Sequence, residues 1–312
     1  MFEVFIDSAS NIPAVIVKQY GINVISFINI VDGQEMVCYD PDLDLEGERA
    51  AGKVYYDKVR AGATVKTSLI NSGQFIDRFE PVLEAGKDIL YFSISKNISG
   101  TYNAAKLAVE DLMEDYPDRK VVIIDSLNAS LATGMLAIYA TEMRDKGMDL
   151  DKIASLLENV VTKMNGVFTV GDLKYLANTG RINKAVAKVG NVLHIKPILR
   201  GNAEGFIVQF KTCRGRKRSL DDLINMVCDN IIEPAKQFVG IAQADCYEDS
   251  LYVENALKEK LNIRGIINTS YDFCTGSHVG PDTVALFFIG YDRELGGKPD
   301  GIFNTPELFN YI

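Results

Sequence analysis

Ile89-Leu90-Tyr91-Phe92-Ser93-Ile94-Ser95-Lys96-Asn97-Ile98-Ser99-Gly100-Thr101-Tyr102 holds the decisive pattern for the fold. Four consecutive apolar residues, 89–92, are too few for a buried helix and have the aliphatic and aromatic character of a buried strand. A polar run of serines follows. From Gly100 to Met113 the apolar residues recur at helical spacing, which predicts an amphipathic helix. Strand, polar loop and helix form half of a βαβ unit, and repetition of that order implies a mostly parallel sheet covered by helices.

The same order recurs on both sides. Upstream, Val4-Phe5-Ile6 predicts a short strand ending at Asp7-Ser8, and 12–20 a helix. Residues 24–31 read as one strand, 55–60 as a helix, 62–72 as a polar loop and 73–85 as a helix. Asn71 and Gln74 stand at capping-box spacing before that helix. Downstream, 121–124 is a strand ending at Asp125-Ser126, and 129–143 a long apolar helix. Ligands of such sheets collect beyond the carboxyl ends of the strands. The loops at Asp7-Ser8, Ser95 to Ser99 and Asp125-Ser126 share that edge.

A linking helix over 149–164 leads to a second unit. There, 168–170, 197–199, 206–210, 238–242, 265–269 and 283–289 read as strands, with 197–199 and 206–210 pairing through the turn 201–205. Helices are expected at 173–178, 185–191, 219–230 and 249–260. The fold class is α/β in two α/β domains. The N-terminal domain, 1–160, has a mostly parallel sheet flanked by helices; the C-terminal domain, 161–291, has a mixed sheet with helices. Residues 292–312 form a C-terminal extension read as an irregular surface arm.

Composition narrows the function. The 312 residues carry a formal net charge of -9, which repels nucleic-acid backbones and anionic lipid surfaces. No apolar stretch is long enough to span a bilayer and no secretory leader is visible, so a cytoplasmic protein without stable membrane insertion is expected. The five cysteines form no C-x-x-C pair and the two histidines are too few for most zinc sites, so no metal is expected. G-x-G, the P-loop and G-x-S-x-G are all absent. No cofactor is therefore expected.

Several residues carry chemistry, each with a plainer reading beside it. Ser99 stands where a helix N-cap belongs, and the amides of Gly100 and Thr101 suit an anion; the plainer reading is a cap for its own helix. Thr67 and Ser68 are not needed for capping at Asn71, so their hydroxyls are free to bind a ligand or simply to face solvent. Gly180 is a natural helix terminator, leaving Arg181 as a fork for carboxylate or phosphate, or as a solvated cation. Lys211, Arg214, Arg216, Lys217 and Arg218 form a basic cluster that suits an acidic partner or begins a solvated helix. His278, among Gly276, Gly280 and Pro281, reads as a turn-borne hydrogen-bond donor or proton shuttle. His194, between Leu193 and Ile195, reads as structural.

Taken in order, these segments resemble the DegV family over residues 2–290. The opening Phe5-Ile6-Asp7-Ser8-Ala9-Ser10-Asn11-Ile12-Pro13, Lys66-Thr67-Ser68 and the 93–102 passage resemble its first three motifs. Asp125-Ser126 with Ser130, Asp172-Leu173 with Gly180-Arg181-Ile182, Lys196-Pro197-Ile198-Leu199 and His278-Val279-Gly280-Pro281 are similar to the rest. Leu69 and Ile70 depart from the threonine loop of the family, and Lys96 and Asn97 from its serine loop.

The resemblance implies a long-chain fatty acid, such as palmitate, stearate or oleate, in a tunnel between the domains. It places the carboxylate on Thr67 and Ser99 with His278 nearby, and Ser68, Gly100, Arg181 and Arg214 at the polar entrance. It further implies a non-catalytic subunit that presents its lipid to a separate fatty acid kinase. Burial of about 14 methylenes at ~0.8 kcal/mol each offers on the order of 11 kcal/mol before association costs. Two other readings stand beside it: a serine hydrolase acting through Ser99 and His278, and a regulatory protein docking through its basic cluster.

Overall fold

In the computed structural model, which describes residues 1–185, 195–293 and 305–312, the chain opens on β1 (Phe2–Asp7) and α1 (Ala14–Tyr20). β2 (Asn23–Ile25), β3 (Ile28–Val31), β4 (Gln34–Val37), α2 (Leu45–Arg60), β5 (Val65–Ser68) and α3 (Ser72–Glu84) follow. Then come β6 (Asp88–Ser93), α4 (Thr101–Asp115), β7 (Val121–Asp125), α5 (Leu131–Asp145) and α6 (Leu150–Glu158). The second half contains β8 (Met164–Thr169), α7 (Lys174–Asn178), β9 (Ile195–Gly201), β10 (Ile207–Arg214), α8 (Arg216–Asn230) and β11 (Phe238–Gln243). It ends in α9 (Tyr247–Lys260), β12 (Gly265–Ser270), α10 (Phe273–Val279) and β13 (Val284–Ile289).

Among the described residues, three sheets result. The first, ordered β2-β1-β6-β7, is wholly parallel. Its register pairs Ile6 with Phe92 and Phe92 with Ile124, so β1, β6 and β7 end together and their polar loops lie side by side. The second, β10-β9-β8-β13-β11-β12, is mixed: β11 and β12 are parallel and the other pairs antiparallel. A small antiparallel sheet, β4-β3-β5, lies apart in the first half. The expected class, a parallel sheet with helices joined to a mixed sheet with helices, is the one observed.

The core explains the arrangement. β6 is buried on both faces, as its unbroken apolar run requires. α5 is apolar nearly all round, and twelve of its fifteen residues are buried. It packs on β1 and β6 of one sheet and on β8, β11 and β13 of the other, so one hydrophobic core cluster runs through both halves. Gly240 makes the approach possible: a Cβ there would lie 2.8 Å from the Leu131 side chain.

Four sequence expectations need correction. Residues 24–31 are two strands in different sheets, broken at Ser26-Phe27, where Ser8 Oγ accepts the Phe27 amide and Ser26 Oγ the Cys38 amide. Part of the 62–72 loop is β5, which pairs with β3 and carries Thr67. The expected linking helix divides into α6 and the start of β8 at Met164. The described end of the chain, 305–312, is no surface arm: Leu308 and Phe309 are buried in the core beside α6. The predicted helix at 185–191 and His194 fall largely or wholly outside the described residues.

Candidate functional site

The loops after β1, β6 and β7 are tied to one another at the sheet edge. Asp7 is fully buried and accepts hydrogen bonds from the Tyr91 hydroxyl at 2.9 Å and the Ile94 amide at 3.3 Å. Burial raises its pKa to about 7 against those hydrogen bonds, so its carboxyl holds a proton far more readily than an exposed aspartate. The Ser126 amide donates to the Ser93 carbonyl, and the Ser95 amide to the Asn128 carbonyl. The amides of Ile98 and Ser99 then both turn back to the Ser95 carbonyl. Ser99 is not the N-cap of α4; Gly100 is, and Ser99 Oγ lies 2.9 Å from Thr101 Oγ1.

The second half closes over these loops. At the tip of the β9–β10 hairpin, Ser95 Oγ donates to the Gly205 carbonyl at 3.0 Å and Asn97 Nδ2 to the Glu204 carbonyl at 2.6 Å. Gly205 has φ +85°, and a Cβ there would fall 2.3 Å from Ser95 Oγ, so glycine is required twice over. Arg293, itself buried, donates from Nη1 to the carbonyls of Leu127 and Asn202. His278 is not on a turn but near the end of α10, which begins at the Asp272 cap. α7 ends in a Schellman motif at Gly180: the Gly180 amide bonds the Ala177 carbonyl and the Arg181 amide the Leu176 carbonyl. That turn aims Arg181 at the same space.

Between the halves lies a cavity of about 270 Å³. Phe27, Ile94, Ile98, Phe168, Leu176, Ile207 and Phe287 give it an apolar wall. Thr67, Ser99, Arg181 and His278 also line it, with Ser68 and Gly100. Thr67 Oγ1 stands 3.3 Å from His278 Nε2, while His278 Nδ1 is buried with no partner. Burial, with help from the Arg181 charge, lowers the His278 pKa to about 3, so the ring is neutral at pH 7. Arg181 donates to the Thr179 carbonyl, and among the described residues no carboxylate forms an ion pair with it. Burial lowers its pKa too. A neutral imidazole, hydroxyls and an uncompensated guanidinium at the wall of an apolar cavity form a receptor for one anionic head on an apolar body.

The fold therefore brings together six of the seven residues singled out from sequence. The exception is Arg214, which lies outside the cavity, exposed at the far end of β10 from Ile207. Its neighbours are largely neutralised: Lys211 and Arg218 approach Asp222, and Arg216 pairs with Asp249. No hydrogen bond joins Ser99 to His278; each faces a threonine instead. Sequence reading gave no ligand role to Ser130, Tyr271 or Thr275, which also line the cavity. Thr275 stands three residues before His278 on one helix, a signal hidden when 276–281 is read as a turn. Among the described residues no His, Cys, Asp or Glu cluster could hold a metal ion.

Comparison with known proteins bears on this geometry. A relative from Clostridium perfringens, a DegV domain-containing protein, is 36% identical over 293 residues, covering 94% of this chain and 99% of its own. A DegV lipid binding protein from Thermotoga maritima has a similar structure, with a TM-score of 0.80 at 25% identity, covering 94% of this chain and 100% of its own. A second T. maritima protein, reported with a fatty acid binding function, has a TM-score of 0.79 at 24% identity, covering 93% and 99%. The model of the DegV family, described as uncharacterised proteins, matches residues 1–290. This chain belongs to the DegV family.

Proposed function

We propose that this protein binds a long-chain fatty acid, such as palmitate, stearate or oleate, in the cavity between its halves. The carboxylate rests on Thr67 and Ser99, with His278 and Arg181 beside it and Ser68 and Gly100 at the rim. The acyl chain drives binding through burial of its methylenes, and the polar residues orient the head. The observation that carries the reading is an arginine that pairs with no carboxylate among the described residues, beside a neutral histidine, on the wall of a largely apolar cavity. Lipid binding by the T. maritima relative at 25% identity points the same way.

The role is that of a cytoplasmic, non-catalytic carrier that presents the head group to a separate fatty acid kinase for acyl phosphate formation. The cysteines are unpaired, as a reducing compartment favours. We divide the chain into an N-terminal domain, 1–160, and a C-terminal domain, 161–291. Mass spectrometry of the denatured protein tests the central claim: a copurifying long-chain acid is expected. Absence of lipid, together with no uptake of added oleate or palmitate, overturns it.

A further inference from the structure

The β9–β10 hairpin reaches past its sheet. β9 pairs with β8 as far as Arg200 opposite Val167, while its ladder with β10 runs on to Gly201 opposite Ile207. The turn 202–206 therefore extends beyond the last rung to β8, and Gly201, Gly205 and Ile207 stand on the cavity wall. Among the described residues, side-chain hydrogen bonds from Ser95, Asn97 and Arg293 fasten this tip to the rest of the molecule.

Arg293 does more than the other two. It is 5% exposed, and its guanidinium reaches three segments at once. Nη1 donates to the carbonyls of Leu127, on the β7–α5 loop, and Asn202, in the turn, both at 3.0 Å. Nη2 donates to the Val161 carbonyl at 2.9 Å and Nε to the Thr162 carbonyl at 3.2 Å, just before β8. The surroundings are shaped to admit it. A Cβ on Gly201 would fall 2.8 Å from Nη1. Leu127, itself on the cavity wall, holds φ +48°, a region that bulky residues rarely adopt. A Cβ on Gly205 would lie 3.0 Å from Leu127 Cα, so tip and loop meet directly. No family motif singles this arginine out, since the match ends at residue 290.

We propose that Arg293 is a positioning residue that bolts the hairpin tip to the β7–α5 loop and so sets how fast a lipid enters and leaves the cavity. The inference rests on the fatty acid reading above and concerns the regulation of that site. The bonds of Arg293 join protein to protein and are made whether or not a guest is bound. Loosening them lowers the barrier to opening equally from the empty and the filled state. Entry and exit then quicken together, and affinity holds.

Stopped-flow mixing of delipidated protein with an anthroyloxy-labelled stearate gives the entry rate, and a chase with excess oleate gives the exit rate. Arg293→Lys keeps the charge but gathers its donors on one nitrogen, which cannot serve three segments. Both rates are expected to rise about tenfold, the scale of one hydrogen bond to a charged group, with Kd within about twofold of wild type. Asn97→Ala removes the bond to the Glu204 carbonyl and is expected to move both rates the same way, by about threefold. Should the lysine variant fail to fold, Asn97→Ala decides alone. If the labelled acid binds and neither variant changes the rates, the bolt is overturned while the fatty acid reading stands. A fall in affinity at an unchanged entry rate overturns it equally, since that is the mark of a damaged wall. If no acid binds the wild type, both readings fail.

Discussion

Thr67 Oγ1 lies 3.3 Å from His278 Nε2, joining β5 to α10 across 211 positions of sequence at the wall of the cavity. The histidine there is neutral, its pKa lowered to about 3 chiefly by burial. The lowered value has a definite sign: between about pH 6.5 and 3 the unfolded chain takes the proton first, so this residue withdraws stability as pH falls through that window. Across pH 6–8 the folded ring does not titrate. Fatty acid affinity is therefore expected to be flat over that range in a displacement assay, and an inflection near pH 6.5 would contradict the assignment. Thr67→Val is expected to weaken binding about fivefold, the scale of one hydrogen bond.

In the proposed site, Arg181 supplies the charge. In Arg181→Leu, affinity for palmitate is expected to fall about 10- to 100-fold, as for loss of a hydrogen bond to a charged group. Affinity for hexadecanol, which has no carboxylate, is expected to change little. Arg214→Ala, altered outside the cavity, is expected to leave both unchanged. The pair of ligands measured on all three proteins checks the claim.

Asp7 ties β1 to the serine loop while buried with its pKa raised to about 7 from 3.8. A raised carboxyl pKa favours the folded state at low pH, and that advantage is lost as pH rises from about 4 to about 7. Asp7→Asn does not titrate. Its melting temperature is expected to gain on that of the wild type across the same window, by up to a few kcal/mol in stability. Asp272, raised to about 6 by burial, acts in the same direction. Parallel thermal melts at pH 5 and pH 8 check the sign.

Gly205 holds the hairpin tip against the serine loop at φ +85°. Gly205→Ala combines an unfavourable backbone region with a clash at Ser95 Oγ. A loss of about 1–3 kcal/mol is expected in urea unfolding. Gly33, also at positive φ but with nothing within 4 Å of a Cβ, is expected to cost less when changed to alanine.

Most of the scaffold is legible in the sequence because burial writes itself into short apolar runs. Ile89 to Phe92 and Val284 to Ile289 are covered on both faces and stand out. β5 does not, since exposed Lys66 and Ser68 alternate with half-buried Val65 and Thr67, and its pairing with β3 is decided by distant chain. The break at Ser26 is equally tertiary, made by bonds to Ser8 and Cys38. The helix that carries His278 is hidden by Gly276, yet a Cβ there would lie 1.9 Å from the Tyr56 hydroxyl, so glycine serves packing rather than a turn. Six of the seven residues named through ordered motifs line one cavity. Arg214, named through the resemblance, lies outside that lining, because position along the chain says nothing of which end of a strand faces the cavity.

Helix α5 has a consequence for how a guest molecule comes and goes. With both of its flanks sealed against sheets, the two halves share one interior and cannot swing apart like a clamshell without stripping that helix bare. The hairpin tip, by contrast, grips its opposite loop through the Ser95, Asn97 and Arg293 hydrogen bonds, which are individually weak and quickly remade. Under the proposed role, passage of the guest thus falls to unlatching at the rim, while the spine of the molecule stays still.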